Sequence, residues 1–397
     1  MPKRPSLPTS LIHHPYAPPP GFDAPQPGVF KASTVIFPNS AALQARDWRQ
    51  RSGYTYGLHG TPTTFTLEER IATLEGGRHT LLVPSGLAAI TLVDTSLLAS
   101  GDEVLIPDNA YGPGKELART ELARWGIAHR FYDAMDPDAL AAAIGPATKL
   151  VWLEAAGSVT MEFPDLPALV RVARARGALT ALDNTWGAGV AFDPFALDGA
   201  GLGVDVSVHA LTKFPSGGGD VLMGAVTTRD DDLHLRLKAT HMHMGWGVGA
   251  NDVEALLRSL PTLAVRYAAQ DAAARALAQW WQGRAEVSRV LHPALPGAPG
   301  HEHWRALCTQ AAGLFSVHFD ARHEAAKVHA FADALRLFRL GYSWAGPVSL
   351  VVPYDLSVLR PGSQWRGTLV RFSIGFEAVE DLIDDLAQAL DSAFGRG

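Results

Sequence analysis

From Thr80 to Thr227 the chain alternates short apolar runs with amphipathic stretches, and this alternation limits the fold more than any other feature. The runs Thr80–Val83, Glu103–Ile106, Ala128–Tyr132, Lys149–Glu154, Ala178–Leu182, Val204–Ala210 and Val221–Thr227 have strand length. The stretches Leu87–Leu98, Pro113–Trp125, Pro137–Ile144 and Leu166–Arg176 carry helical periodicity. An earlier helix is expected over Thr66–Glu75, with Thr66 and Glu69 as its capping box. Strands this apolar are buried on both faces, which requires a mostly parallel sheet wrapped by helices. The expected class is therefore α/β, and ligands of such sheets bind at the carboxyl ends of the strands. The Ser85-Gly86 turn, Tyr111, Asp183 and Lys213 all fall there.

The chain of 397 residues is too long for one small core. Beyond about Asn251 its character changes. A long helix over Ala255–Trp281 is expected to lead into a smaller C-terminal domain. That domain has strands near Gly313–Phe319, Ser349–Pro353 and Leu369–Ile374, and helices over Glu324–Leu337 and Val379–Phe394. Gly297–Gly300 reads as a surface loop. Residues 1–60 are rich in proline, with Pro18, Pro19 and Pro20 in a row, so an arm without regular structure is expected. Its Phe22, Phe30, Val35, Ile36 and Phe37 need a surface to pack on, such as a neighbouring subunit. The resulting division is an arm (1–60), a large domain (61–255) and a C-terminal domain (256–397).

Hydrophobic residues make up 47% and charged residues 19%, so long disorder is not expected. With a net charge of -6 and no basic block, a nucleic-acid partner is not expected. Lys3-Arg4 is followed by prolines rather than an apolar core, so no signal peptide is read. No membrane span is expected. The single cysteine, Cys308, excludes an intrachain disulfide and suggests a reducing, cytoplasmic setting. His241-Met242-His243-Met244 reads as pocket-edge or interface packing, and His301-Glu302-His303 as surface, not as metal sites.

Lys213 follows an apolar strand and precedes Gly217-Gly218-Gly219. A lysine desolvated at such a strand end becomes an amine nucleophile toward an aldehyde. The surrounding sequence supplies what pyridoxal phosphate (PLP) requires. Asp183 is the candidate carboxylate for the pyridine nitrogen, although helix capping is an equal reading of it alone. Ser85, Gly86 and Leu87 open a helix whose free N–H groups suit a phosphate, and Thr212 offers a hydroxyl. Tyr111 is the ring to stack on the pyridine. Arg371, inside the apolar run Leu369–Ser373, suits a substrate α-carboxylate.

Ten further segments carry a resemblance. They are Tyr56-Gly57 with Gly60–Thr63, Leu67-Glu68 with Leu74–Gly77, Pro84–Ile90, Tyr111–Pro113, Asp183–Trp186, Thr212-Lys213, Leu291–Pro296, Gly313–Ser316, Gly341–Trp344 and Val370-Arg371. The chain resembles the Cys/Met-metabolism PLP enzymes of fold type I, most closely the cystathionine β-lyases. The resemblance implies that Lys213 holds the cofactor and shuttles protons, with Tyr111 assisting. It implies that Gly86, Leu87 and Thr212 hold the phosphate, with Tyr56 reaching the phosphate of a neighbouring subunit. Ser343 and Arg371 would bind the substrate carboxylate, and Tyr342, Trp344 and Ser158 would line the substrate pocket. It further implies a homotetramer, a dimer of dimers. The expected reaction is α,β-elimination of L-cystathionine or a related cysteine conjugate. A γ-lyase or desulfhydrase, and a PLP-binding protein with little turnover, are the alternatives.

Several positions depart from the family pattern. Leu58 stands where an Arg is usual, Ala210 where many relatives have a Ser, Ala155-Ala156 in place of Ser-Pro, and Gly218-Gly219 in place of His-Ser. Ala345–Val348 also departs from the usual run after Trp344.

Overall fold

The computed structural model describes residues 6–49, 53–360 and 366–395. Within the arm, two short helices form where none was expected: α1 (Leu7–Ile12) and α2 (Ser40–Gln44). Proline is tolerated in the first turn of α1 because N–H groups there have no intrahelical partner. Leu11 anchors α1 in the main core. Helix α3 (Pro62–Glu75) starts earlier than its sequence suggested. Its cap is Thr61, whose hydroxyl accepts the Thr64 N–H while Thr64 reciprocates. The Thr66 hydroxyl instead bonds the Pro62 carbonyl at 2.7 Å. The stretch 52–63 leading into α3 has the Gly, Thr and Tyr content expected of a ligand loop, and its first residue, Ser52, lies outside the described residues.

The alternating segment follows as β1 (His79–Val83), α4 (Gly86–Leu97), β2 (Glu103–Pro107), α5 (Gly112–Leu117), β3 (Ala128–Tyr132), α6 (Pro137–Ala143), β4 (Thr148–Glu154), α7 (Leu166–Ala175), β5 (Leu179–Asp183), β6 (Val206–His209) and β7 (Gly224–Thr228). These seven strands form one sheet in the order β1-β7-β6-β5-β4-β2-β3. All pairs are parallel except those of β7, which runs against both β1 and β6. Alternate side chains feed two cores. Leu150, Trp152 and Ala181 pack with α4 on one face, and Val151, Leu153 and Leu182 pack on the other. Each fully buried Leu or Val contributes about 1.5–3 kcal/mol.

Helix α8 (Asp231–Met244) was not read in the sequence; it contains the His241–Met244 run. His241 is buried and bonds the Leu82 carbonyl at 2.9 Å. The long helix expected over Ala255–Trp281 is two helices, α9 (Ala250–Ser259) and α10 (Leu263–Gln282). They are joined by a 3-10 turn containing Pro261, a residue that cannot continue the α-helical ladder.

The C-terminal part is built from β8 (Val287–Leu291), α11 (His301–Leu307), β9 (Leu314–Phe319), α12 (Ala325–Ala334), β10 (Arg339–Leu340), β11 (Leu350–Asp355), α13 (Leu356–Leu359), β12 (Thr368–Ser373) and α14 (Val379–Phe394). Its sheet order is β10-β11-β12-β9-β8. Trp281 and Phe372 lie at the centre of its core. Gly297–Gly300 is not wholly a surface loop. Ala298 and Gly300 are buried, and the Pro299 carbonyl accepts the Phe163 N–H at 3.0 Å. His301–His303 belongs to α11. Among the described residues no helix is long and apolar enough to cross a membrane.

Candidate active site

Lys213 leaves β6 on a tight turn that several bonds hold in place. The Lys213 N–H bonds Ala210 O at 3.0 Å, and Gly217 N–H bonds Lys213 O at 2.9 Å. Beneath the turn, Arg266 donates to the Phe214 carbonyl at 2.6 Å. Gly217 has a φ of 65° and a Cβ there would strike the Arg266 guanidinium, so glycine is required. This frame aims the Lys213 side chain at the C-terminal part. Its Nζ donates to Ser343 Oγ at 2.8 Å and lies 5.5 Å from the Trp344 ring centroid.

Ser343 and Ala345 have φ values of 92° and 64°, conformations that cost non-glycine residues energy and that cluster at functional sites. They turn the Trp344 ring against Phe214, 5.5 Å between centroids. Arg371, in the middle of β12, donates to the Ser343 carbonyl at 3.2 Å and lies over the Tyr354 ring. It is only 8% exposed, and its Nε has no partner. Among the described residues no carboxylate pairs with it. A buried guanidinium in that condition is suited to an incoming carboxylate.

Burial and the Arg371 charge lower the Lys213 amine to about 8, partly opposed by Asp183. Asp183 ends β5, and its carboxylate accepts the Thr185 N–H at 3.0 Å and the Thr185 hydroxyl at 2.5 Å. Burial raises its pKa; those bonds, His209 and Lys213 hold it back. Tyr111, at the start of α5, lines a cavity together with Asp183, Glu154, Lys115 and Asp94. Burial and the neighbouring Asp183 and Glu154 carboxyls raise the Tyr111 phenol.

Ser85 caps α4 by accepting the Ala88 N–H at 3.0 Å. The Gly86 and Leu87 N–H groups are the first of the helix and have no carbonyl within it to meet. A Cβ on Gly86 would stand 2.6 Å from the Ala210 Cβ, and one on Gly224 would stand 2.3 Å from the Ser85 carbonyl. Glycine thus lets β6 and β7 close up under the helix terminus. Thr212 differs from its sequence reading in detail: its hydroxyl donates to Met223 O and accepts Met223 N–H.

The structure therefore brings Lys213, Ser343, Trp344 and Arg371 to one mouth, with Asp183 and Tyr111 beside it. Tyr342 is 79% exposed at the rim. Ser158 sits further along, its N–H bonding Asn109 O at 2.8 Å in the segment leading to Tyr111. Tyr56 is not in this group; its ring meets His59 edge-on. Two contributors escaped the sequence reading. Glu154 accepts the Tyr111 N–H at 2.8 Å. Arg360 bonds both Glu162 (2.8 Å) and Asp108 (2.5 Å), tying the C-terminal part to the Tyr111 segment. Glu154 had a signal, since it ends an apolar run as Asp183 does; Arg360 had none.

An amine, a buried carboxyl, an open helix N-terminus and an unpaired guanidinium form a donor set that fits pyridoxal phosphate and an amino acid. Comparison with known proteins agrees. A model of the family described as "Cys/Met metabolism PLP-dependent enzyme" matches residues 8–391. The chain is 41% identical over 369 residues to a cystathionine β-lyase of Bordetella avium, covering 91% of each chain. It is 34% identical over 374 residues to the cystathionine β-lyase of Escherichia coli, covering 92% of each. It is also similar to a solved cystathionine γ-synthase of Xanthomonas oryzae in complex with aminoacrylate and cysteine. That TM-score is 0.89 at 29% identity, covering 98% of this chain and 99% of that one.

Proposed function

Because the chain belongs to the Cys/Met metabolism family of PLP-dependent enzymes, we propose that it is a carbon–sulfur β-lyase. On this reading it cleaves L-cystathionine, or a related cysteine conjugate, to a thiol, pyruvate and ammonia. Its similarity to two cystathionine β-lyases supports the substrate class. The single observation that carries the reading is the desolvated Lys213 amine at one mouth with Arg371, beside the buried Asp183 carboxyl.

Lys213 would hold the cofactor aldehyde, and Asp183 would hold a proton on its ring nitrogen. Tyr111 would lie against the ring. The Gly86 and Leu87 N–H groups would take the phosphate, with Ser85 keeping the α4 terminus in shape; the Thr212 hydroxyl would join them by turning its proton from the Met223 carbonyl to the phosphate. When bound, the cofactor supplies a sink for the electron pair left at the substrate Cα. Arg371 binds the substrate α-carboxylate through its two-pronged guanidinium, and Ser343 orients both Arg371 and Lys213. Once the substrate amine has taken its place at the aldehyde, the freed Lys213 Nζ would remove the Cα proton and deliver one to the departing sulfur. Tyr342, Trp344 and Ser158 would shape the substrate pocket.

The same reading takes the chain as an arm (1–60), a PLP-binding domain (61–255) and a C-terminal domain (256–397). Tyr56 would serve the site of a neighbouring subunit in a cytoplasmic homotetramer. The exposed arm residues Phe22, Phe30 and Ile36 support a partner chain on that face.

The test is to incubate the PLP-loaded protein with L-cystathionine and identify the keto acid. Pyruvate with homocysteine is the expected result. 2-Oxobutyrate with cysteine would move the reaction to γ-elimination and overturn the reading.

A further inference from the structure

Glu154 and Asp183 end neighbouring parallel strands and are partners in register. Partners in register project to the same face of a sheet, and neighbouring strands lie about 4.8 Å apart. The two carboxyl groups therefore stand side by side, and both line the cavity that also holds Tyr111, Lys115 and Asp94. Two buried carboxylates at that spacing cannot both be ionised without a large penalty. Asp183 has the Thr185 hydroxyl and N–H as donors to its charge. Glu154 has the Tyr111 N–H at 2.8 Å.

We propose that Glu154 and Asp183 share one proton, and that Glu154 carries it whenever Asp183 pairs with a positively charged ring nitrogen. Glu154 is then a positioning residue with two duties. It holds the backbone of Tyr111, and by taking the proton it leaves Asp183 as the anion the cofactor needs. Of the charged and titratable groups around the pair, His209 on β6 has a ring nitrogen bonded to the Glu75 carboxylate at 3.0 Å. Asp94 on α4 is held by the Trp152 indole N–H at 2.8 Å, and Lys115 on α5 donates to Asp108 O at 2.8 Å. Tyr111 opens α5, and Lys213 and Arg371 lie toward the mouth. Burial and the neighbouring Asp183 push the Glu154 carboxyl well above its ordinary value, as the sharing requires.

The proposal rests on the PLP reading above, and the test separates the two. Infrared spectra of the cofactor-free protein are recorded for the wild type and for Glu154→Gln, each in an Asp94→Asn background that removes a carboxyl outside the pair raised to about 7 by burial. The protonated-carboxyl band near neutral pH should be present with Glu154 and lost with Gln. Affinity for PLP is then measured by visible absorbance from pH 6 to 9. Glu154→Gln, a permanently neutral residue that still accepts the Tyr111 N–H, should change the shape of the pH dependence relative to the wild type, beyond the rise that the Lys213 amine gives to both. Glu154→Ala, which loses the acceptor, should weaken PLP by at least about tenfold. An unchanged infrared band, or a pH dependence of the Gln variant equal to the wild type, would overturn the shared proton. If no variant and no wild-type sample binds PLP, the cofactor reading fails, while the infrared result still decides the pair.

Discussion

The Lys213 ammonium of the large-sheet part and the Ser343 hydroxyl of the C-terminal part meet at 2.8 Å, and this one bond spans the two halves of the site. Ser343 in turn offers its carbonyl to Arg371 at 3.2 Å. The residue that would hold the cofactor and the residue that would hold the substrate are thus joined through one strained serine.

Lys213→Ala should remove the visible absorbance of bound PLP and reduce keto-acid production to background. The check is an absorbance spectrum and a coupled pyruvate assay. A variant with full turnover would refute the lysine assignment.

The Lys213 amine titrates at about 8 rather than at the usual lysine value, so the neutral, nucleophilic form appears as pH rises through about 8. The rate of PLP capture by the cofactor-free protein should climb with pH below that point, by about tenfold per unit, and level off above it. Stopped-flow absorbance from pH 6 to 10 measures this. A midpoint near 10 would mean that burial does not act on this amine.

The resemblance implies that the Arg usual at position 58 grips the cofactor phosphate, so Leu58→Arg should add a charge-assisted contact worth about 1.5–3 kcal/mol, or about ten- to a hundredfold in PLP affinity. Equilibrium titration of the cofactor-free protein is the measurement. Unchanged affinity would count against the reading of position 58.

Arg371→Lys keeps the charge but loses the fork. The KM for an amino-acid substrate should rise by at least about tenfold, while an analogue without the α-carboxylate should lose little. Equal effects on both compounds would show that Arg371 does not read the carboxylate.

Arg360→Gln would leave the buried Glu162 and the part-exposed Asp108 without their cation, with Arg360 itself only 8% exposed. Breaking a buried ion pair in this way costs about 3–5 kcal/mol. Chemical denaturation of the cofactor-free protein should show that loss. A cost below about 1 kcal/mol would mean the network is not a clamp.

Much of this protein was legible in its sequence, because local chemistry sets strand and helix. Apolar runs of strand length gave every strand of the large sheet, and Asp183, Lys213 and the Ser85-Gly86 turn announced themselves by lying at strand ends. Errors fell at the boundaries of elements, two for local reasons and one through a distant contact. The cap of α3 moved to Thr61, Pro261 divided the expected long helix, and Leu11 drew a proline-rich arm into a helical turn against the core. Tertiary structure alone decided what stands beside what. Periodicity cannot tell that β4 and β5 are neighbours, so it cannot tell that Glu154 and Asp183 are side by side. Nor can it tell that Arg360 reaches Glu162, 198 residues away along the chain. Register and burial arise from the closing of the sheet, and they set the charge states of the groups they bring together.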